Sequence, residues 1–455
     1  MREVRVRDTM SGELVTLDRE SEVGIYACGP TVYSRIHIGN ARPFVVFSLL
    51  ARFLRSEGYR PKLVINVTDI NDKIYTAAAE RGIGSSELAV EMTAAYFEDT
   101  GRLGLGRPDA EPLATETVGP IIDLIATLID DGHAYESGGD VYFSVRSFDG
   151  YGKLSHRPTG EMEQGEGDDA GSLKRDPLDF ALWKALKEGE DTSWESPWGP
   201  GRPGWHIECS AMAEAELGQL PFEIHGGGSD LVFPHHENEI AQSEAARNRP
   251  LARIWMHNGM IETGSEKMSK SVGNIFQLSE ALDVYGPESV VAYLISGHYR
   301  QPLAFGDGPL SQARAGNERL RNFLRENPPA AESPGEAAAA AGERFRAALA
   351  DDFNTPRAMR EAFDLVRSVN QSPQDPSLAG AGAVLAGMLD LVGLGALAET
   401  EDSGPDEEAL VLLAARNEAR ESKDWARADE MRDRLAELGW EVRDGADGAS
   451  LVPRG

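Results

Sequence analysis

The sequence predicts an α/β protein with a Rossmann-type parallel sheet, followed by an all-helical bundle and a small C-terminal module. Three observations support this fold class. An apolar, β-rich run at residues 23–27 leads into the segment HIGN at 37–40, a strand-to-helix transition of the kind that binds phosphate. A second apolar run at 222–225 leads into a glycine run at 226–228. Beyond residue 309, a helix-start signal at 351–356 and the helical spacing of basic and apolar residues in 410–438 indicate helices.

The two strand-to-helix units are interpreted as the halves of one doubly wound sheet, separated by an insertion. We place the first half at 23–105, the insertion at about 106–201 and the second half up to about 255. With the segments that follow, this gives three predicted domains: an α/β domain over 1–309, a helical bundle over 310–398 and a C-terminal module over 399–455.

Local composition predicts where regular structure starts and stops. The Gly- and acid-rich stretch 160–171 predicts a loop within the insertion. Residues 328–341 read as a low-complexity linker, and the run DDFNTP at 351–356 predicts a helix start. In 410–438, helical spacing predicts one amphipathic helix whose basic face carries Arg416, Arg420, Lys423, Arg427 and Arg434.

Composition narrows the function classes. The chain has 455 residues, 41% of them hydrophobic, and no apolar run of about 18 residues, so we expect no membrane span. The formal net charge of −30 argues against a general nucleic-acid binder. Two cysteines cannot form a disulfide framework and suit a reducing compartment. We expect a cytoplasmic protein and a monomer.

Two segments far apart in the chain carry residue types suited to a nucleoside triphosphate. His37, Gly39 and Asn40 stand where backbone N–H groups at a helix N-terminus meet phosphate. In EKMSKS, at 266–271, Lys267 and Lys270 carry charges on flexible stems that can follow a leaving pyrophosphate. Alone, the first segment could be an ordinary helix start and the second a solvated loop.

Four residues form a possible zinc set. Cys28 follows the first strand, and Cys209 stands just before a predicted helix. His235 and Glu239 have the i, i+4 spacing that places two side chains on one helix face. The i+4 partner of His236 is an isoleucine, so we expect His236 to face phosphate or to support a ligand. Two thiolates, an imidazole and a carboxylate suit tetrahedral zinc. Without that set, each cysteine would be a buried core thiol.

The two signature segments, in this order, resemble the HIGH and KMSKS motifs of class I aminoacyl-tRNA synthetases. HIGNARPFVVF, at 37–47, is similar to the form found among cysteinyl-tRNA synthetases. The resemblance covers nearly the whole chain and implies ATP, with Mg²⁺, L-cysteine and tRNA(Cys) as partners. It implies that the enzyme forms cysteinyl-adenylate, releases pyrophosphate and transfers cysteine to the terminal adenosine of the tRNA.

The resemblance also implies roles for individual residues. The catalytic residues would be His37, Asn40, Lys267 and Lys270, and the ATP-binding residues Gly39, Gly226, Gly228, Asp230 and Lys270. The cysteine pocket would be formed by Gly29, Thr68, Trp205 and His225, and one zinc ion per chain would be held by Cys28, Cys209, His235 and Glu239. Zinc would select the substrate thiolate, which either adds as a fifth ligand or displaces Glu239.

Three alternatives stay open at this point. The basic face of 410–438 either contacts tRNA or is a solvated surface whose arginines pair with neighbouring glutamates. The activated cysteine could pass to an amino sugar in place of tRNA, as in a paralogous ligase of mycothiol synthesis. The chain could also be a non-catalytic protein that binds zinc and nucleotide, although His37, Lys267 and Lys270 argue against that.

Overall fold

Strands and helices alternate through the first two thirds of the chain, and helices dominate after them. The structure is a computed structural model and describes residues 2–18, 22–158, 173–263, 266–267, 276–330, 333–399, 407–445 and 448–453. The strands are β1 (Arg5–Arg7), β2 (Leu14–Thr16), β3 (Val23–Ala27), β4 (Pro61–Ile65), β5 (Ala134–Ser137), β6 (Asp140–Phe143), β7 (Phe180–Ala185), β8 (Gly201–Pro203), β9 (Phe222–Gly228), β10 (Ala252–Asn258), β11 (Ile261–Thr263), β12 (Glu266–Lys267), β13 (Leu303–Ala304), β14 (Trp440–Gly445) and β15 (Gly448–Pro453).

The α-helices follow the same chain order. They are α1 (Ile38–Ser56), α2 (Asp72–Arg81), α3 (Ser85–Gly101), α4 (Val118–Asp130), α5 (Trp205–Leu217), α6 (Glu237–Arg247), α7 (Leu278–Tyr285), α8 (Pro287–Leu294), α9 (Asp307–Glu326), α10 (Glu336–Ala350), α11 (Thr355–Gln371), α12 (Ala381–Leu391), α13 (Glu407–Glu421) and α14 (Trp425–Glu437). The chain divides into two structural units, Met1–Leu397 and Ala398–Gly455.

The larger unit is organised around a parallel sheet with the strand order β10-β9-β3-β4. β3 pairs with β4 on one side and with β9 on the other, and β9 also pairs with β10. All three pairings are parallel. The crossovers from β3 and β9 therefore lead to opposite edges of the sheet. This arrangement leaves a crevice beyond the carboxyl ends of β3 and β9, where doubly wound sheets bind their ligands. The predicted fold class is confirmed.

Helix α1 packs against this sheet and directs its N-terminus to the crevice. Its buried residues include Ile38, Phe44 and Phe47, whose burial holds the helix on the sheet. The helix lies so close that a Cβ at Gly226 of β9 would come within 2.0 Å of the Phe47 ring. Glycine at this position therefore permits the approach of helix and strand.

The insertion forms an antiparallel sheet with the order β5-β6-β7-β8. Helix α4 packs into the same core, which includes Leu124, Ile125, Val141 and Phe180 and is shared with Ile207 of α5. The shared core attaches the insertion to the second half of the parallel sheet. The predicted loop at 160–171 lies outside the described residues.

The helical region of the larger unit comprises α9 to α12. As predicted, a helix starts in the run 351–356: the side chain of Asn354 accepts the Arg357 N–H at 3.1 Å at the beginning of α11. The linker prediction for 328–341 was wrong in its second half, because α10 begins at Glu336. Alanines dominate the first turns of α10 and favour helix, which the low-complexity interpretation overlooked.

The smaller unit contains α13, α14 and the hairpin β14–β15. The prediction of one continuous helix over 410–438 was wrong. Lys423 has a φ of 61°, and the side chain of Asp424 accepts the Arg427 N–H at 3.2 Å and caps a new helix. The left-handed residue ends α13 and changes the direction of the chain. Arg416, part of the predicted basic face, is buried.

Asp352 joins the helical region to the first strand, and its removal should destabilise the larger unit. Its carboxylate accepts hydrogen bonds from the Arg7 N–H at 2.9 Å, the Tyr299 hydroxyl at 2.8 Å and Arg300 Nε at 2.9 Å, with Asp352 itself buried. Asp352→Ala leaves the buried Tyr299 hydroxyl and the partly buried Arg7 N–H without their acceptor, so we expect the free energy of unfolding to fall by about 2 kcal/mol in urea titrations. Asp351→Ala removes a half-exposed ion pair with Arg5 and should change it by less than about 1 kcal/mol. Equal effects would contradict the proposed anchoring.

Candidate nucleotide and metal site

A cavity of about 320 Å³ opens at the carboxyl ends of β3 and β9. Eight of the predicted site residues line it: Cys28, Gly29, His37, Gly39, Asn40, Trp205, Gly228 and Asp230. The backbone from Asn258 to Met260 contributes a further wall. The cavity thus lies at the topological switch point of the sheet, where a nucleotide is expected.

The segment HIGN forms the first turn of α1 through its own side chains. His37 Nδ1 accepts the Gly39 N–H at 3.0 Å, and Asn40 Oδ1 accepts the His37 N–H at 3.3 Å. This capping box satisfies two N–H groups that a helix start leaves without partners. Because Nδ1 accepts, Nε2 carries the proton in the neutral ring and can donate to an anion. A Cβ at Gly39 would lie 2.8 Å from the imidazole, so glycine is needed there.

The glycine run belongs to strand β9, not to a turn after it. Gly226, Gly227 and Gly228 pair with Met256, His257 and Asn258 of β10. The prediction of a strand ending at 225 was therefore wrong, because the glycines continue a fully buried parallel strand. Gly228 lines the cavity, whereas Gly226 packs against Phe47.

The four predicted zinc ligands, Cys28, Cys209, His235 and Glu239, come together although they lie far apart in the chain, and we call them the metal group. Cys28 Sγ lies 3.8 Å from Cys209 Sγ and 3.6 Å from Glu239 Oε1, and His235 Nε2 lies 3.2 Å from the same carboxylate oxygen. All four side chains are buried, and their donor atoms lie within 4.8 Å of one another. Cys209 lies inside α5 and not before it, so α5 carries this ligand into the site.

The electrostatics of this group suit a cation. Burial, followed by the neighbouring Cys209, raises the pKa of the Cys28 thiol well above its usual value. Burial also lowers the pKa of His235 well below its usual value, so the imidazole is neutral and can ligate. Two thiols beside a buried carboxylate lose their protons only if a positive charge stabilises the anions, and a divalent metal supplies that charge. The donor set therefore fits zinc.

A second group of donors overlaps with the first. Cys28, His225, His236 and Glu239 also lie within 4.8 Å of one another, and His225 Nε2 approaches Glu239 Oε2 at 2.8 Å. The predicted pocket residue His225 is thus a neighbour of the metal group and does not line the cavity. His236 was predicted to face phosphate or to support a ligand. It does not line the cavity, its Nδ1 lies 2.8 Å from His257 Nε2, and it is one of the four donors of the overlapping group.

Sequence reasoning missed two histidines. His206 Nδ1 lies 2.8 Å from His235 Nδ1, and His257 Nδ1 lies 2.7 Å from the Thr9 hydroxyl. His206 thus contacts an imidazole of the predicted zinc set, and His257 contacts His236 of the overlapping group; such contacts commonly tune metal ligands. The only signal for His206 is its place in GWHIEC beside Cys209, and nothing in the spacing indicates His257.

The other predicted pocket residues lie at different depths. Trp205 lines the cavity and stacks on His235 with ring centroids 4.3 Å apart. The backbone N–H of Gly29 donates to Asn66 Oδ1 at 2.9 Å, and Asn66 Nδ2 donates to Thr68 Oγ1 at 3.3 Å. Thr68 is buried behind Gly29 and does not line the cavity itself.

The second signature segment is only partly described. Glu266 and Lys267 form β12, which pairs antiparallel with β11, with Lys267 opposite Glu262. Lys270 lies outside the described residues.

Comparison with known proteins identifies the family. The tRNA synthetases class I (C) catalytic domain matches residues 14–315, and the cysteinyl-tRNA ligase anticodon binding domain matches residues 402–449. The cysteine–tRNA ligase of Chromohalobacter salexigens is 48% identical over 444 residues, covering 95% of each chain. The chain belongs to the cysteine–tRNA ligase family. The relative from Azotobacter vinelandii is 47% identical over 441 residues, covering 94% of each chain.

Members of the wider synthetase class share the fold of this cysteine–tRNA ligase family member. Mycobacterium tuberculosis methionyl-tRNA synthetase bound by methionyl-adenylate superposes with a TM-score of 0.61 at 14% identity, covering 96% of this chain and 99% of that chain. The LeuRS of Agrobacterium radiobacter, in a ternary complex with tRNA, has a TM-score of 0.61 at 11% identity, covering 85% of this chain and 86% of that chain. At these identities the likeness concerns the fold alone.

The family assignment confirms the resemblance inferred from HIGN and EKMSKS. A DALR domain match at 344–395 lies in the helical region of the larger unit. Within the described residues, no helix is both long enough and apolar enough to span a membrane.

Proposed function

We propose that the protein ligates L-cysteine to tRNA(Cys) in two steps. ATP and cysteine form cysteinyl-adenylate with release of pyrophosphate, and cysteine then passes to the terminal adenosine of the tRNA. The observation that carries this proposal is the place of Cys28, which both lines the cavity and belongs to the buried Cys-Cys-His-Glu group. A metal ion held by this group would therefore adjoin the expected nucleotide site and could bind the substrate thiolate. Family membership supports both steps.

In the first step, the chain positions an attack by the cysteine carboxylate on the α-phosphate of ATP. The N-terminus of α1 offers backbone N–H groups to phosphate oxygens, and His37 Nε2 can donate to charge that develops on the pyrophosphate. Gly39 and Gly228 allow the nucleotide to approach the backbone, and Asp230 lies where it can accept from ribose hydroxyls. Lys267 and Lys270 would add charge to the leaving group.

Cysteine would be selected at the metal group. Cys28, Cys209, His235 and Glu239 would hold one zinc ion, which supplies a bond that a thiolate forms far better than a serine hydroxyl. Trp205, which lines the cavity and stacks on His235, would pack against the bound cysteine beside the metal group. A pocket of shape alone separates near-isosteres by only about 1–3 kcal/mol, which is too little for accurate coding.

We further propose that the region after the α/β domain binds the tRNA. The predicted division into 310–398 and 399–455 assigns anticodon recognition to the C-terminal module, and the family match at 402–449 supports it. A small-molecule acceptor such as an amino sugar would need no such module. Because the formal net charge is −30, tRNA must bind a local basic surface on a repulsive whole, so binding should weaken steeply with salt.

Transfer of labelled cysteine to tRNA tests this proposal directly. With ATP present, we expect cysteine to be attached to tRNA, serine to fail as a competitor, and the apparent affinity for tRNA to fall as salt rises. Cysteine-dependent pyrophosphate exchange without attachment to tRNA would overturn the second step and indicate a small-molecule acceptor. Absence of exchange in metal-loaded protein would overturn the first.

A further inference from the structure

Arg42 is a fully buried arginine on helix α1, the helix whose first turn carries HIGN. Its guanidinium donates from Nη1 to the carbonyls of Gly259, at 2.5 Å, and Met260, at 3.3 Å, and from Nη2 to the carbonyl of His298, at 3.3 Å. In the described part of the chain, no carboxylate forms an ion pair with it. Burial lowers its pKa to about 10. Burying a cation without an anion is costly, so stability alone does not explain this residue.

Two of the three residues whose carbonyls Arg42 binds, Gly259 and Met260, form part of a cavity wall. Gly259 and Met260 line the cavity and join β10 to β11. The Gly259 N–H donates to the Tyr299 carbonyl at 2.7 Å, and a Cβ at Gly259 would lie 2.4 Å from the backbone of Gln301. The Met260 carbonyl also accepts the Leu303 N–H at 2.9 Å. The wall is thus held from one side by the segment 299–303 and from the other by Arg42.

The same wall leads into the second signature segment. Met260 immediately precedes β11, and β11 pairs with β12, whose residues Glu266 and Lys267 begin EKMSKS. Arg42 therefore connects the helix that carries HIGN to the strand pair from which EKMSKS starts. The fork of a guanidinium suits this task because its donors have a fixed geometry, whereas a lysine offers a single flexible point.

We infer that Arg42 is a positioning residue for ATP, which fixes the Gly259–Met260 wall and the base of the β11–β12 pair relative to the N-terminus of α1. The inference rests on the proposed function, since it takes the cavity to hold the nucleotide. Arg42 itself does not line the cavity. It acts on ATP through the backbone carbonyls that it binds. None of these hydrogen bonds is to the metal group or to a predicted residue of the cysteine pocket.

The test compares Arg42→Met and Arg42→Lys with a matched control on the same helix. Arg52 also donates to two carbonyls, those of Asp390 at 2.9 Å and Leu105 at 3.2 Å, but lies away from the cavity. In cysteine-dependent pyrophosphate exchange, we expect Arg42→Met to lower kcat/KM for ATP by about 100-fold, as a small misplacement of a reactant does. The KM for cysteine should stay within about twofold. Arg42→Lys should recover part of the lost kcat/KM for ATP, and Arg52→Met should leave kcat/KM for ATP unchanged.

Each outcome decides the inference. The inference is wrong if Arg42→Met impairs the use of ATP and of cysteine equally. It is also wrong if Arg42→Met and Arg52→Met have the same kcat/KM for ATP. In either case Arg42 would only stabilise the fold. If Arg42→Met does not fold, Arg42→Lys gives the same split between the two substrates. Binding of a non-hydrolysable ATP analogue by calorimetry provides a readout that needs no turnover. Wild-type protein without exchange would overturn the proposed function, while weaker analogue binding by Arg42→Met than by Arg52→Met would still support the positioning role.

Discussion

Replacing Cys209 by serine should lower the zinc content of the purified protein from about one ion per chain to a small fraction of that value. Cys209 Sγ lies 3.8 Å from Cys28 Sγ in a fully buried group, and a hydroxyl there is a much weaker ligand than a thiolate. Loss of residues that merely support metal ligands costs about 10–100-fold in metal affinity, so loss of a ligand should exceed that range. Elemental analysis of the metal measures the effect.

The same variant should lose its preference for cysteine over serine. Without the metal bond, only the shape of the pocket separates the two amino acids. That contribution is about 1–3 kcal/mol, so the ratio of kcat/KM values in pyrophosphate exchange should fall to about 10–200-fold. If the variant contains no zinc and still prefers cysteine over serine as strongly as the wild-type protein does, the metal is not the source of this specificity.

Two controls separate the metal effect from damage to the helix and from the second donor group. Ser210→Ala removes a buried hydroxyl that accepts from Gln242 Nε2 at 2.8 Å, next to Cys209 on α5, and should leave zinc bound. His236→Gln removes a donor found only in the overlapping group with His225. If His236→Gln loses zinc while Cys209→Ser retains it, the ion is held by the second group.

The metal group was predictable because cysteine is rare in this chain and one histidine has a glutamate at i+4. Only two cysteines exist, and a histidine and a glutamate with i, i+4 spacing stand in a single segment, 234–239. The parallel sheet then brings Cys28, after β3, to α5 and α6. His257 could not be found in the same way. It contacts His236 only because β10 lies beside β9, and that strand order is a property of the tertiary fold.

Tertiary contacts and single backbone angles decide several features that the sequence pattern does not show. The glycines at 226–228 indicated a turn by their intrinsic preference, yet pairing with β10 and the approach of Phe47 hold them in a strand. The helical spacing in 410–438 concealed a break at Lys423, because a left-handed residue leaves no trace in the hydrophobic period. The role of Arg42 depends on three backbone carbonyls from distant segments, and no sequence pattern shows which carbonyls a side chain will meet.

His37 should contribute to both helix stability and catalysis, and two substitutions can separate these contributions. Its Nδ1 caps α1 by accepting the Gly39 N–H, while its other nitrogen can donate to the pyrophosphate as charge develops. His37→Ala removes both contacts. We expect kcat for pyrophosphate exchange to fall by about 100- to 1,000-fold, as for loss of one donor to a developing anion, and the unfolding free energy to fall by about 1 kcal/mol.

His37→Asn isolates the catalytic part. Asparagine is a favoured N-cap residue, so its side-chain oxygen can accept the Gly39 N–H and preserve stability, but it is too short to reach where the imidazole donates. We therefore expect wild-type stability with the full loss in kcat. Asn354→Ala, which removes the cap of α11, provides the opposite control, with lower stability and unchanged exchange. Because capping and catalysis predict opposite results for His37→Asn, wild-type exchange in that variant would reduce His37 to a helix cap.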